Sequence, residues 1–420
     1  MLRSLRGAFI LWLAIALGVY VVGISLAIAD NASAPSAINQ PSGNPGGTQP
    51  SNPGGGGTPV GNLGGSTNPS GGTTGGTTNP GGTPQQVNGF DPDHGISFAA
   101  LTAAQQDAYD QLLEHLVARE ESFDIQNTDP NALDRAYDAV RYDHPELFWL
   151  EGYSYSMLPS STTITVTPSF VFTQQEIDSL TQEIESAADA ALATIPTQGS
   201  TYEKVRAIYE WVVLQTDYQD GPNDQTIVGV FLDESAVCAG YSRAFQYLCH
   251  KLEIPCSYVS GTVDGRGNHA WCLVNIDGTN TYVDVTWGDP VFEDPSQADP
   301  DNINYDYLCV TSEELYRDRS ATSPTSGLPI CDSTQYDYYV LSGTYVDTLG
   351  DDGIAAYVGQ AANAGESSVG MKFSTQEDYD TAVSFLESDD LFSLGVLPST
   401  ATTISYRTNE TLRIIEISWE

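Results

Sequence analysis

The spacing of apolar positions changes several times along the chain. An uncharged, mostly apolar run extends from Gly7 to Ala29, and no periodicity follows until about Phe90. Beyond that point both helical and strand periods occur. Residues 98–121 and 172–192 carry helical stripes; between them Phe148–Met157 and Thr162–Phe172 alternate around Pro159-Ser160-Ser161, as in a hairpin. Val205, Ile208, Tyr209 and Val212 give 202–217 the i, i+3, i+4, i+7 stripe of a packed helix. In 236–252, Tyr241, Ala244, Phe245, Leu248 and Leu252 share one helical face. Short strands then run to Trp287, and an Asp/Asn/Pro-rich loop leads to about Tyr305. The tail predicts strand 338–347, helix 352–363, strand 368–373, helix 375–387 and a closing hairpin over 402–419. The fold class expected is α+β, with the tail as a small α/β domain of its own. The divisions are 1–29, 30–89, 90–200, 201–330 and 331–420.

Composition sharpens the first two divisions. Arg3 and Arg6 precede the apolar run, which is long enough to span a bilayer, while Ala27-Ile28-Ala29 reads as a cleavage site. Retained anchor and cleaved signal both stay open; either places the remainder on the extracellular face, membrane-anchored or secreted. Residues 30–89 are rich in Gly, Pro, Thr, Ser and Asn, with Asn-Pro-Gly-Gly at Asn44, Asn52 and Asn79. Such a segment buries too little to offset its ordering entropy, so it is expected to be a disordered linker with a reach of about 45 Å. The chain carries 55 Asp+Glu against 15 Lys+Arg, a net charge of −40. That balance excludes nucleic acid as a partner, because binding it needs clustered cations to displace counterions.

The candidate chemistry lies in 233–290. Cys238 falls at the first turn of its helix with Ser235 as a plausible N-cap, and a thiol there is favoured as thiolate by the helix dipole. Gly240 leaves room for close approach of a backbone or a substrate. Two strand-like runs, Asn268–Ile276 and Thr281–Trp287, meet across Asp277-Gly278, a preferred type I′ turn pair. That turn pairs Ile276 with Thr279 and puts His269, Trp271, Asp284 and Thr286 on one face, with His269 and Asp284 diagonal at roughly 7–8 Å between backbones. A thiol, a base and a carboxylate in reach follow the nucleophile, base and orienter logic of acyl transfer.

The run Val237-Cys238-Ala239-Gly240-Tyr241-Ser242, then Ile254-Pro255-Cys256, Val259-Ser260-Gly261, His269-Ala270-Trp271 and Tyr282-Val283-Asp284-Val285-Thr286-Trp287, resembles the bacterial transglutaminase-like superfamily. The upstream His144-Pro145-Glu146-Leu147-Phe148-Trp149 also looks like exported members. The resemblance implies a papain-like core with a catalytic triad of Cys238, His269 and Asp284, acting on a protein or peptide substrate, with wall or surface peptides as candidates. One departure is Cys272, where many members carry Asn; it lies on the strand face opposite His269. The backbone N–H of Cys238 would be one oxyanion donor, with Tyr218 and Gln225 as candidates for the second. Cross-linking and hydrolysis both stay open.

Simpler readings stand beside these. Six cysteines in an exported chain can form disulfides, with Cys249–Cys256 and Cys309–Cys331 as candidate pairs. His94, His115, His144 and His250 read as surface or structural, and Trp271 and Trp287 as core. No cofactor is expected; the acidic run Asp289–Asp306 is the one place for calcium, although it lacks the ligand alternation of an EF-hand. The non-catalytic alternative is a surface adhesion or scaffold module on the same fold.

Overall fold

The computed structural model describes residues 21–25 and 94–420, apart from 197, 290–302, 324–327, 351–352, 388–394, 400 and 402. The expected linker and most of the calcium candidate lie outside these residues. Of the apolar N-terminal run only Val21–Ser25 is described, and it is a strand paired antiparallel with Leu150–Met157, not part of a helix. No helix among the described residues is long and apolar enough to cross a membrane.

The architecture is mixed α and β. A first sheet holds Val21–Ser25, Leu150–Met157, Ile164–Phe170 and Phe123–Ile125 in that order. Helices Ala103–Val117, Pro130–Asp143 and Gln174–Leu192 accompany it. Pro130–Asp143 was assigned no element from the pattern, yet its signal is local: Asp129 accepts from the N–H groups of Asn131 and Ala132, and Pro130 takes the first helical position. Capping boxes at Thr173/Glu176 and Ser200/Glu203 start the helices Gln174–Leu192 and Thr201–Gln215.

The central sheet has five strands in the order Leu308–Val310, Thr279–Val283, Gly267–Ile276, Cys256–Val263, Arg319–Ser323, all antiparallel. Ile276 pairs with Thr279, as the Asp277-Gly278 turn requires; both turn residues have positive φ, 51° and 91°. Helix Cys238–Lys251 packs on this sheet through Tyr241, Ala244, Phe245 and Leu248, all fully buried.

The tail forms a four-stranded sheet, Tyr345–Val346, Ser368–Phe373, Ile414–Trp419, Ile404–Asn409, with its own apolar core around Val358, Met371, Phe373 and Ile417. Leu412 and Ile414 instead join a cluster with Trp271, Tyr282 and Tyr307, so the tail also packs on the central sheet. The expected strand 338–347 divides into a helix, Tyr338–Ser342, and a two-residue strand, Tyr345–Val346. Asp337 caps that helix by accepting from the N–H of Tyr339, and Gly343 ends it at φ 75°. The capping outweighs the strand preference of the aromatic run.

Candidate active site

Cys238 opens its helix, and its backbone N–H, like the next two, has no intrahelical acceptor. Ser235 is not the cap. It pairs within Ser235–Ala236 against Asp217–Tyr218, a two-residue parallel ladder, and Val237 becomes the N-cap without a side-chain acceptor. The Val237 N–H donates to Asp224 O at 3.1 Å, pinning the 224–226 segment against the helix start. A Cβ on Gly240 would lie 2.4 Å from Asp224 O and 2.6 Å from the Ala236 Cβ. The glycine therefore admits backbone, not substrate.

The triad residues converge. His269 Nε2 lies 2.8 Å from Asp284 Oδ2, and the Cys238 thiol adjoins the ring closely enough to help hold its proton. Cys238 and Asp284 are 1% and 0% exposed, and His269 is 7% exposed. Burial by itself would lower the imidazole's proton affinity; the charge and hydrogen bond of Asp284, aided by Cys238, overcome this and hold its pKa at about 9. Burial likewise opposes the Asp284 carboxylate, but His269 and then Arg319 hold its pKa below the ordinary value. The carboxylate reaches the ring because the strand stops: Thr279–Val283 ends one residue earlier, and a 3₁₀ turn, Val285–Gly288, carries the chain away. Thr286 is consequently not the cross-strand neighbour of His269.

Tyr218 stands beside the backbone N–H of Cys238, although its hydroxyl reaches hydrogen-bond geometry with no group. None of the described contacts joins Gln225 to the triad; its buried Oε1 is unpartnered. A polar cavity of about 100 Å³ adjoins the imidazole, lined by Tyr258, Ser260, Asn268, His269 and Thr322 among others. A larger groove of about 980 Å³ lies in the tail between Ile354 and Val396 and touches none of the triad.

The remaining sequence candidates take structural places. All six cysteines are free thiols, which corrects both candidate pairs. Cys249, Cys256 and Cys272 adjoin one another in the core, and Cys272 donates to Ser242 O at 3.2 Å on the helix side of the sheet, opposite His269. His144 bridges Tyr109 at 2.8 Å and Glu146 at 2.7 Å, while His250 contacts Cys256 O at 2.7 Å. His94 pairs with Asp110 and His115 with Glu120. Trp271 is fully buried core, whereas Trp287 is half-buried with two guanidinium groups against its ring, Arg319 at 4.5 Å and Arg266 at 4.8 Å. The described ends of the acidic run are engaged, Asp289 by Tyr241 and Asp306 by Arg407, Asn409 and Tyr339. Among the described residues no group of three or more His, Cys, Asp or Glu is gathered for a metal ion.

Sequence reasoning missed Arg319. It contacts Asp284 from Arg319–Ser323, an edge strand that pairs with Cys256–Val263. Nothing local marks it, since contact arises from a pairing across more than fifty residues of sequence.

Residues 189–286 match the family model of the transglutaminase-like superfamily. Among solved structures, a protein described as a TGase is 16% identical over 36% of this chain and 48% of its own, with a TM-score of 0.25. A candidate cysteine protease from Cytophaga hutchinsonii is 17% identical over 32% of this chain and 56% of its own, with a TM-score of 0.23. The periplasmic domain of TgpA from Pseudomonas aeruginosa is 16% identical over 31% of this chain and 56% of its own, with a TM-score of 0.20. The chain thus spans about half the length of these structures. No curated protein matches it.

Proposed function

Residues 189–286 form a transglutaminase-like core, and from that premise we propose that the protein is a thiol acyl-transfer enzyme acting on a glutamine carboxamide or a peptide carbonyl. The observation that carries this reading is the convergence of the Cys238 thiol, the His269 imidazole and the Asp284 carboxylate at one buried helix start. Cys238 Sγ attacks the carbonyl carbon, and the developing oxyanion is received by the backbone N–H of Cys238. Tyr218, already beside that N–H, is the nearest candidate for a second donor. The C–N bond then breaks, His269 delivers its proton to the departing nitrogen, and a thioester to Cys238 remains. Asp284 holds the ring with Nδ1 towards sulfur throughout. An amine or water next gives a proton to His269 and attacks the thioester carbonyl, and the C–S bond breaks to return the Cys238 thiolate, giving cross-linking or hydrolysis. The Arg-flanked apolar N-terminus and the uncharged residues 31–89 support work on the extracellular face, on surface or wall peptides.

The test has two arms on the full chain: alkylation with iodoacetamide near neutral pH and, on unalkylated protein, incubation with a glutamine peptide and a labelled primary amine. Rapid modification confined to Cys238 and abolished in His269→Ala is expected. Amine incorporation lost in Cys238→Ala assigns transfer; new peptide termini, or ammonia released without amine incorporation, assign hydrolysis. A Cys238 no more reactive than the buried Cys272 would falsify the reading.

A further inference from the structure

We propose that Arg319 is a positioning residue for the triad: its guanidinium grips the same Asp284 oxygen that holds His269, and so limits how tightly the imidazole keeps its proton. The proposal rests on the acyl-transfer reading above. It concerns a residue beyond the stretch 189–286 that matches the family.

Arg319 and Asp284 are both 0% exposed at their side chains. Arg319 Nε and Nη2 lie 3.3 and 3.0 Å from Asp284 Oδ2, the oxygen 2.8 Å from His269 Nε2. Among the described residues Asp284 Oδ1 has no hydrogen-bond partner. Both cations thus converge on one oxygen while the other is left unpaired. A guanidinium serving only as packing would be satisfied equally well by Oδ1. The plane is fixed by Tyr307 at 4.0 Å and Trp287 at 4.5 Å, and Nη1 donates to Asp318. Gly261 brings the edge strand this near. A Cβ there would lie 2.3 Å from Ser320 O and 2.4 Å from the Trp271 ring.

The consequence follows from charge. Asp284 alone would fix His269 as imidazolium too firmly for it to give its proton to a leaving amine. A positive charge shared through Oδ2 weakens that hold, and it also repels the imidazolium directly. The other titratable groups facing this pair do not supply the same charge. Tyr209 from helix Thr201–Gln215, Tyr218 from the short ladder, and Tyr307 are phenols kept neutral by burial. Asp318 takes Arg319 Nη1 rather than the Nε and Nη2 edge that meets Asp284, Cys238 adjoins the imidazole itself, and Arg266 stacks on Trp287.

The test uses iodoacetate on the full chain from pH 6 to 11. Being an anion, it is drawn to the thiolate by the neighbouring imidazolium, so its rate falls where His269 loses its proton. In Arg319→Gln this alkaline fall should move up by about one pH unit. Arg319→Lys, which keeps the charge, should stay within a few tenths of wild type. Asp318→Asn, which leaves Arg319 in place and covers the case of an unfolded Arg319→Gln, should move the fall down by a few tenths. An alkaline fall that stays put or moves down in Arg319→Gln, or stays put or moves up in Asp318→Asn, overturns the proposal. A fall that persists in His269→Ala, or an unreactive Cys238, overturns the acyl-transfer reading instead.

Discussion

At the seam between central sheet and tail, Lys372 Nζ lies 2.6 Å from Asp337 Oδ2 and 2.7 Å from Glu314 Oε1, with the ammonium 1% exposed. Nearby, Asp306 accepts from Arg407, Asn409 and Tyr339. At the candidate site the arrangement is reversed: two cations, His269 and Arg319, share one oxygen of Asp284 and leave the other unpaired. At the seam one ammonium meets two carboxylates and both oxygens of Asp306 are hydrogen-bonded, which suits a joint. The site puts competing donors on a single acceptor, so small changes in charge alter where the proton resides. Both clusters bury charge at similar desolvation cost; they differ in whether that charge is fixed or poised.

That contrast breaks most sharply at His269. Replacing it with Ala should lower Cys238 alkylation at neutral pH by about 10²–10⁴-fold, the usual contribution of a positioned base. The urea midpoint should move far less than the rate, and tryptophan fluorescence with mass spectrometry of the alkylated peptide reads both. A large loss of stability with little loss of rate would make the site a joint like the seam.

Lys372→Met sharpens the comparison from the other side. It leaves two carboxylates buried without their cation, and breaking such a pair costs about 3–5 kcal/mol. Glu314 retains the Thr311 N–H and hydroxyl, and Asp337 retains its cap to Tyr339, so the lower part of that range is expected. Denaturant midpoints measure the loss. Alkylation of Cys238 in buffer should stay within a few-fold of wild type, because Lys372 makes no contact with the triad.

How far this was legible in the sequence depends on the range of the interaction. The pairing of Ile276 with Thr279 followed from Asp277-Gly278, because this pair favours a two-residue type I′ turn whose two positive φ angles match the strand twist. Side-chain alternation along Gly267–Ile276 places Cys272 on the face away from His269 without further information. The departure of the chain at Asp284 was not legible, since a 3₁₀ turn and a continuing strand share the sequence Val285-Thr286-Trp287 equally well. Ser235 was misread because an N-cap preference is local, whereas its pairing with Asp217 is made by chain distant in sequence. Arg319 and Lys372 are of the same kind: each finds its partners only after strands far apart in sequence have paired.

The smallest effect is the pH dependence of stability, and here the two clusters separate by sign. His269 is held near 9 in the folded protein, above its ordinary value near 6.5. Its pairing therefore stabilises the fold fully below about pH 6.5 and fades as pH rises through 9, a total on the order of 3 kcal/mol. The seam behaves otherwise. Glu314 and Asp306 are held below their ordinary values, so their contribution is present above the carboxylate range and is lost as pH falls, while burial raises Asp337 despite Lys372 beside it. Lys372 is held above 10.5 and stays charged throughout this window. Burial raises Asp143 and Asp289 to about 6, and the stability they cost is fully expressed by about pH 7. Between pH 7 and 8 the decline in stability belongs mainly to His269, because the buried thiols of Cys256, Cys309 and Cys331, raised by burial, add their own decline only as pH nears the ordinary thiol value of about 8.5. Urea midpoints across that interval should fall in the wild type and stay level in His269→Gln. A variant that keeps the decline would place the titrating group elsewhere, and the site would then be as fixed in charge as the seam.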